Sequence, residues 1–361
     1  MTYPQRMARA RARMQELEID ALCLSVGPDL PYLTGYEAMP LERLTMLVAP
    51  QDGDAVLVVP QLEAPRVVER SDVFSLHPWE ETEDPIQIVA GYVGGAPVVA
   101  IGDHTWARFV LALQAVLGSA RFVPASRVMG PLRAIKDDAE IAALTRAAQA
   151  VDLIAADLRD GPFVGRTELD LHREIVDRML DAGHERANFA IVASGPHAAS
   201  PHHEPGPRPI EPGDVVLCDF GGTMAGYCSD ITRMYAAGEP DPEIRAAYDA
   251  LVEAQEAAVR AAVVGARCCD VDAVARDALG SAQLADRFVH RTGHGIGMEA
   301  HEDPYLVAGD ATRLTAGHAF SIEPGVYVPG RFGLRLEDIV VATPQGPRRL
   351  NTAPRDLAIV H

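Results

Sequence analysis

Short apolar runs alternate with longer amphipathic stretches along the first third of the chain. Four runs, ALCLSV, LTMLVAP, AVLVVP and PVVAIG, are separated by proline and glycine turns and by stretches such as WARFVLALQAVLG. Apolar runs of this length between turn residues are typical of buried strands, and the longer stretches are typical of helices. The pattern predicts a mixed α/β domain over residues 1–128. No glycine-rich phosphate loop follows these strands, so we expect this domain to be structural or to shape a substrate site.

The pattern changes at PASRVMGPLRAIKDD, which contains two prolines and a glycine. A strong helix start follows, because Asp137 can cap the helix and Glu140 can close a capping box. A chain of 361 residues also exceeds the size at which one core usually stops growing. We therefore predict a second domain over residues 129–361.

The second domain shows a faint internal doubling. A long helix, a shorter helix over 167–182 and strands over 215–234 form the first half. The order repeats with a long helix opening at 241–242, a shorter helix over 270–279 and strands over 319–341. Two copies do not make a solenoid, so the pattern predicts a pseudo-twofold α+β domain, in which paired half-sites could assemble two metal positions.

Composition and charge narrow the classes of function. The chain is 48% hydrophobic and 23% charged, which is ordinary for a folded globular protein. Its formal net charge of −19 argues against nucleic acid and membrane surfaces as partners. Lys136 is the only lysine, which makes Schiff-base or phosphate-loop chemistry improbable.

Cysteine usage indicates a reducing compartment. The five cysteines form an odd set without a CxxC pair, as expected of free thiols rather than a disulfide framework. The arginines near the N-terminus are followed by EIDALCLSV, without a long apolar segment or a cleavage signal, so we expect no targeting peptide. No stretch approaches the length of about 20 apolar residues that spans a bilayer. We expect a cytoplasmic protein.

Two aspartates flank a glycine-rich turn in VVLCDFGGTMAGYCSDITR. If the two strand-like runs form a hairpin, Asp219 and Asp230 come close together. Two like charges inside apolar strands are unfavourable unless a cation lies between them, so the pair indicates a metal. The alternative is that one aspartate serves the turn and the other is exposed.

A second acidic pair occurs in AFSIEPGVYVPGRFGLRLEDIVV. Glu323 and Glu337 belong to two strands joined by a Gly/Pro-rich connection, and Arg335, two residues before Glu337, is expected on the same strand face. A surface ion pair between Arg335 and Glu337 is the alternative. Glu323 has apolar neighbours on both sides, which are poor surroundings for an unpaired carboxylate.

Between these pairs lies RTGHGIGMEAHEDP, in which His294 has a glycine on each side and His301 follows seven residues later. A lone histidine is more often a core or surface residue than a ligand. Four carboxylates and one imidazole, however, balance the charge of two divalent ions. Such oxygen-rich ligation suits Mn²⁺, Co²⁺ or Fe²⁺ at least as well as Zn²⁺, and a pair of ions indicates hydrolysis.

These residues resemble the pita-bread metallopeptidase family, which includes Xaa-Pro dipeptidase (prolidase), aminopeptidase P and methionine aminopeptidase. The resemblance spans about 137–361 and rests on DFGG, SDITR, GHGIG, HED, IEPGVY and GLRLED. It implies an α/β creatinase/prolidase-type N-terminal domain and an α+β pita-bread catalytic domain. It also implies two divalent ions, Mn²⁺ or Co²⁺ before Zn²⁺ or Fe²⁺, and a homodimer. The metal ligands it implies are Asp219, Asp230, His294, Glu323 and Glu337.

The resemblance also implies roles for residues around the metals. Glu323 would be the general base, and His202, in SGPHAASPHHEPG, would line the substrate pocket. His301 would steady the tetrahedral intermediate, and Arg335 would fix the second glutamate. A solvated loop is the alternative for His202 and for the neighbouring histidines His197 and His203. His197 is left unassigned, and His203 is a second candidate for the pocket after His202.

The extra N-terminal domain argues against methionine aminopeptidase, and the compact length favours Xaa-Pro dipeptidase over Xaa-Pro aminopeptidase acting on longer peptides. A dipeptidase must bind the free carboxylate of a small peptide with proline after the scissile bond, for which Arg313 is a weak candidate. Metal-free amidinohydrolases, non-catalytic peptide-binding proteins and hydrolases of other small bonds share the fold. The presence of all five candidate ligands distinguishes this chain from the first two.

Overall fold

The computed structural model describes residues 1–361, which divide into two compact units, Met1–Arg133 and Ala134–His361. The predicted boundary at 128/129 falls inside the last helix of the first unit, Ser126–Ala134. No helix in either unit has the combined length and apolar character that crossing a membrane requires.

The first unit is built around one mixed sheet. Its elements are α1 (Tyr3–Glu16), β1 (Ala21–Leu24), α2 (Asp29–Thr34), β2 (Met46–Pro50), β3 (Val56–Pro60), β4 (Ser75–Trp79), α3 (Pro85–Val93), β5 (Val98–Ile101), α4 (Ala107–Val116), β6 (Arg121–Pro124) and α5 (Ser126–Ala134). The strand order is β4-β3-β2-β1-β5-β6, with β1 antiparallel to β2 and parallel to β5. The four apolar runs of the sequence form β1, β2, β3 and β5, which confirms the predicted α/β class.

The second unit has the predicted α+β character. Its elements are α6 (Asp138–Asp157), α7 (Glu168–Asp181), β7 (Arg186–Ser194), β8 (Val215–Met224), β9 (Tyr227–Cys228), β10 (Ile231–Ala237), α8 (Pro242–Ala261), α9 (Cys268–Ser281), β11 (Gly293–Gly295), β12 (Glu302–Leu306), β13 (Ala319–Ile322), β14 (Gly325–Val328), β15 (Phe332–Arg335), β16 (Asp338–Thr343), β17 (Gly346–Arg349) and β18 (Ala358–Val360). Short 3-10 turns occupy Ala64–Arg66, Leu158–Asp160, Gly195–Ala199 and Ala285–Arg287.

Local sequence signals set the helix starts of this unit. Asp137 caps α6, and Glu140 completes the predicted capping box. Thr167 caps α7 in the same manner, with Asp170 in the place of the glutamate. Asp241 caps α8, whose first residue is the proline that the sequence pointed to.

The predicted doubling appears as two helix pairs, each followed by a sheet. After α6 and α7 comes a sheet of order β18-β10-β8-β7, with β9 paired to β8. After α8 and α9 comes a sheet of order β12-β11-β13-β16-β17. An isolated bridge between Thr232 and Glu337 connects the two sheets, and β14 and β15 form a separate hairpin. The bridge brings strand ends from both halves to one place.

Candidate metal centre

The five candidate ligands come from five positions on the two sheets of the second unit. Asp219 lies on β8, Asp230 directly precedes β10, and β8 and β10 pair antiparallel as predicted. Glu323 directly follows β13 and Glu337 directly precedes β16, which are also antiparallel neighbours. His294 is the middle residue of β11, next to β13. The topology therefore brings five side chains that are far apart in the sequence to one point.

The glycines on either side of His294 are needed for close strand packing. A Cβ atom on Gly293 would overlap the carbonyl of Ser321, and one on Gly295 would overlap the carbonyl of Asp303. β11 lies between β12 and β13 and can approach both only without these side chains. The glycine pair thus fixes the depth at which His294 enters the centre.

The imidazole of His294 faces carboxylates on one side. Its Nε2 lies 3.2 Å from Glu323 Oε1, 3.7 Å from Asp230 Oδ2 and 4.0 Å from Glu337 Oε1. Its Nδ1 lies 3.1 Å from the carbonyl oxygen of Gly295, which accepts only if Nδ1 carries the proton. In the neutral ring the lone pair then lies on Nε2 and points at the carboxylates. The lone pair of Nε2 and the negative carboxylate oxygens repel each other unless a cation or a proton lies between them.

Buried oxygen atoms without partners also mark this point. Asp219 is 7%, Asp230 3% and Glu337 1% exposed, and each has one carboxylate oxygen without a hydrogen-bond partner. A buried, unpaired anionic oxygen is costly, and such atoms usually have a missing partner. Asp230, His294 and Glu337 also offer ligand atoms within 4.8 Å of one another. The donor set therefore fits divalent cations.

The pKa values of the carboxyl groups also show that the buried carboxylates repel one another. Burial raises the pKa of Asp230 and of Glu337 well above the ordinary values, and the neighbouring carboxylates raise both further. Burial also raises the pKa of Asp219, although the charge of Arg335 opposes it. Burial acts on Glu323 in the same direction, but the hydrogen bond and charge of His294 outweigh it and lower its pKa to about 2. Without a cation the cluster therefore favours protons on its deeper members.

Arg335 does not fix Glu337 directly, contrary to the expectation from the sequence. Its guanidinium forms a short ion pair with Asp219 and donates to the Tyr327 hydroxyl at 2.7 Å. Strand β15 ends at Arg335, so Arg335 and Glu337 do not share a strand face. The two-residue spacing was misleading because the period of two applies only within a continuous strand.

Thr232 carries the contact to Glu337. Its hydroxyl donates to Glu337 Oε2 at 2.8 Å and accepts from Arg335 Nε at 3.3 Å. The threonine lies directly opposite Asp219 on the neighbouring strand and is fully buried. It orients one candidate ligand and links it to the arginine that holds another.

We expect Thr232→Val to weaken metal binding without unfolding the protein. Loss of a hydrogen bond to a ligand typically lowers metal affinity roughly 10- to 100-fold, and valine keeps the volume. Titration of Mn²⁺ into metal-free protein measures the effect. Thr223→Val is the matched control. Thr223, on β8, is buried like Thr232, but its hydroxyl donates to Asn188 and not to a candidate metal ligand. Equal affinities in the wild type and Thr232→Val would contradict this role.

The five side chains open into a cavity of about 860 Å³ that His202 and His301 also line. The His301 ring lies 4.0 Å from the His294 ring, measured between centroids. Burial, with the charges of His294 and Arg291, lowers the pKa of His301 to about 4. His301 is therefore neutral at pH 7. The apolar residues that line the cavity are Phe189, Ile191, Val289 and Ala300.

The other two histidines of the same loop do not line the cavity. His203 Nε2 lies 2.8 Å and His197 Nδ1 3.1 Å from the carboxylate of Glu168, which is fully buried. Glu168 also accepts from the backbone N–H and the hydroxyl of Ser194, each at 2.8 Å. Both of its oxygens thus have donors, unlike the carboxylates of the centre. This cluster is satisfied without a cation.

Three side chains that complete the site were not predicted from the sequence. Thr232 and Tyr327 lie inside the segments SDITR and IEPGVY, but nothing local indicates that they bond Glu337 and Arg335. Arg291 is the first residue of the segment RTGHGIG and lines the cavity. A basic residue three positions before a candidate ligand was the available signal.

Comparison with known families divides the chain in the same two parts as the structure. Residues 140–344 match metallopeptidase family M24, and residues 6–135 match the creatinase/prolidase N-terminal domain. All five candidate ligands fall within the first match.

Individual relatives match over nearly the whole chain. A protein of Mycobacterium tuberculosis described as probable dipeptidase PepE is 42% identical, over 99% of this chain and 96% of its own length. The crystal structure of dipeptidase PepE from Mycobacterium ulcerans has a TM-score of 0.91 at 43% identity, covering 99% of this chain and 98% of its own. A prolidase structure from Thermococcus sibiricus has a TM-score of 0.95 at 34% identity and full coverage of both chains.

Proposed function

Because this chain belongs to metallopeptidase family M24 and is a peptidase, we propose that it hydrolyses Xaa-Pro dipeptides. In this proposal Asp219, Asp230, His294, Glu323 and Glu337 hold two divalent ions. The observation that carries it is that three buried carboxylates, each with an unpartnered oxygen (Asp219, Asp230 and Glu337), line one cavity together with Glu323 and His294.

The ions would supply Lewis acidity, activating water and polarising the scissile carbonyl. Glu323 is suited to carry the proton from water to the leaving nitrogen. Its side chain, 14% exposed, is the most accessible of the four carboxylates. The hydroxyl of Ser321 donates to Glu323 Oε1 at 3.2 Å and orients it. An amide nitrogen of proline has no hydrogen of its own and leaves only when a proton is delivered to it.

His301 is suited to donate to the oxygen that becomes negative in the transition state. Its Nδ1 lies 3.4 Å from Arg291 Nη2, which can only donate, so Nδ1 accepts and the proton of the neutral ring lies on Nε2. The Nε2–H group of a histidine that lines the cavity would then be available to the reacting carbonyl. His202, which also lines the cavity, would orient the substrate.

The apolar wall supports proline as the preferred residue after the scissile bond. Phe189, Ile191 and Val289 give an apolar lining to one part of the cavity, which suits a pyrrolidine ring. The relatives described as dipeptidase PepE, at 42% and 43% identity, support a dipeptide substrate, and the structure described as prolidase, at 34% identity, supports proline.

The identity of the metal ions, the location in the cell and the oligomeric state are also proposals. We propose Mn²⁺ or Co²⁺ ahead of Zn²⁺ or Fe²⁺; the oxygen-rich donor set without a thiolate gives no preference for Zn²⁺. A cytoplasmic location is supported by the five cysteines, all of which are free. A homodimer is proposed on the family resemblance, and light scattering of the purified protein tests it.

Substrate length tests the dipeptidase proposal. We expect kcat/KM for Ala-Pro to exceed that for Ala-Pro-Ala by at least about tenfold with Mn²⁺ or Co²⁺, a difference of roughly 1.4 kcal/mol in transition-state binding. Ala-Ala serves as the control for the need for proline. Chromatography of released proline and alanine measures all three reactions. Rapid cleavage of the tripeptide would make the protein an aminopeptidase instead.

A further inference from the structure

We infer that Glu168 is a positioning residue for the reaction, because it anchors the loop that carries His202 and so places the His202 side chain in the cavity. The inference rests on the proposed function, in which His202 orients the substrate. We call residues 195–206, which follow β7, the histidine loop. Of this loop, Ser200, Pro201 and His202 line the cavity.

Glu168 accepts hydrogen bonds from both ends of the histidine loop. At the first end, His197 Nδ1 lies 3.1 Å from Glu168 Oε1. The backbone N–H and the hydroxyl of Ser194, the last residue of β7, donate to the same oxygen, each at 2.8 Å. At the other end, His203 Nε2 lies 2.8 Å from Oε2, and the backbone N–H of Gly206 donates to Oε2 at 3.3 Å. One carboxylate therefore connects the two ends of the loop.

The negative charge of Glu168 strengthens this anchor. The residue is fully buried at the first position of α7. Burial raises the pKa of its carboxyl group, but the hydrogen bonds from His203, Ser194 and His197 outweigh burial and lower the pKa below its ordinary value. The group is therefore ionised at neutral pH, and the N-terminal end of a helix favours a negative charge. Hydrogen bonds to an ionised acceptor are roughly twice as strong as those between neutral groups.

The place of the His202 ring depends on this backbone anchor, because no hydrogen bond or ion pair holds the ring itself. The backbone N–H of His203 donates to the Ser200 carbonyl at 3.2 Å, which closes a turn around His202. The His203 side chain extends from this turn to Glu168, whereas the His202 side chain lines the cavity. Without the bond to Glu168, the turn loses its anchor at the residue next to His202.

The cluster of Glu168, His197 and His203 also has the residue types of a metal site, with ligand atoms within 4.8 Å of one another. Its hydrogen bonds favour an anchor instead. The donors from the loop and from Ser194 already use the four or so lone-pair positions of the carboxylate. The guanidinium of Arg208 also donates to the Ser194 hydroxyl at 2.6 Å, so a positive charge lies nearby. No oxygen of this cluster lacks a partner.

Glu168→Gln tests the role in the manganese-loaded protein. Glutamine keeps the shape but turns an N–H₂ group toward the donors of the loop, which displaces the loop. We expect kcat/KM for Ala-Pro to fall by on the order of 10- to 100-fold, as for a small misplacement of a group that contacts substrate. The affinity for Mn²⁺ should stay at the wild-type value, because Glu168 contacts none of the five candidate ligands. Glu174→Gln is the matched control, since Glu174 lies on the same helix but pairs with Arg166 and Arg178.

A double-mutant cycle separates positioning from a general loss of stability. His202→Ala removes the side chain that Glu168 is inferred to place. If Glu168 acts through His202, Glu168→Gln should change kcat/KM by no more than about twofold in the His202→Ala background. Two independent defects would multiply instead, and the double variant would lose the product of the two single losses.

The outcomes distinguish the inference from the proposed function. No cleavage of Ala-Pro by the wild type overturns both. Wild-type kcat/KM in either single variant, losses that multiply in the double variant, or weaker Mn²⁺ binding in Glu168→Gln overturn the positioning role and leave the proposed function standing. Glu168→Asp is the second variant if glutamine prevents folding. It keeps the charge on a shorter side chain, so we expect a smaller loss of kcat/KM that again disappears in the His202→Ala background.

Discussion

Asp230→Asn is expected to abolish peptide hydrolysis while it stabilises the metal-free protein. Asp230 is 3% exposed, and its carboxylate faces other carboxylates in the absence of a cation. Asparagine keeps the shape and removes the buried charge. We expect kcat to fall by at least about 10³-fold, the equivalent of about 4 kcal/mol. The free energy of unfolding of the metal-free protein should rise by on the order of 1 kcal/mol.

Opposite changes in activity and stability separate a functional carboxylate from a structural one. A carboxylate that served the fold would, when replaced, lower both. Asp181→Asn is the control, because Asp181 is exposed at the end of α7. Steady-state kinetics and urea unfolding at one pH measure the two effects. Near wild-type turnover in Asp230→Asn would contradict its assignment.

Removal and return of metal should produce the second large effect. A chelated protein is expected to be inactive, and Mn²⁺ or Co²⁺ should restore activity. A cation that binds only the folded state stabilises it by about 4 kcal/mol at 1,000 times its Kd. For a domain of this size that corresponds to a rise in Tm of roughly 10 °C. The gain arises because the cation compensates the buried carboxylates of Asp230 and Glu337.

Calorimetry of the metal-free and metal-loaded forms measures this shift. Asp230→Asn should show a much smaller rise in Tm, since one of the five candidate ligands has lost its negative charge. Ca²⁺ serves as the control ion, because it prefers six to eight oxygen ligands at longer distances. Full activity after exhaustive chelation would contradict the dependence on metal.

Local sequence signals predicted the frame of the catalytic unit well. The capping box at Asp137 and the Asp241-Pro242 helix start depend only on residues within one turn, and both are present. The pairing of the strands around Asp219 and Asp230 was also predictable, because a short glycine-rich connection favours a hairpin.

Contacts between distant segments were not predictable in the same way. Thr232 meets Glu337 across 105 positions, and Arg335 meets Asp219 across 116. The sequence spacing suggested instead that Arg335 and Glu337 act together, because it could not show that β15 ends at Arg335. Tertiary packing, rather than local pattern, decides which carboxylate each donor serves.

The roles of the histidines also depend on contacts with residues that are distant in the sequence. The family resemblance placed His202 in the substrate pocket, but the local sequence alone could not separate a pocket histidine from a structural one among His197, His202 and His203, because adjacent positions differ only in the direction of the side chain. In the structure His202 lines the cavity and His203 bonds to the buried Glu168, which is 35 positions away. The partner of a histidine, which only the fold provides, determines its role.

Anomalous diffraction from crystals grown with Mn²⁺ shows directly whether the five residues hold two metal ions. We expect two strong peaks in each chain, both within coordination distance of the side chains of Asp219, Asp230, His294, Glu323 and Glu337. Peaks at the alternative cluster of Glu168, His197 and His203, with none at the five residues, would contradict this expectation.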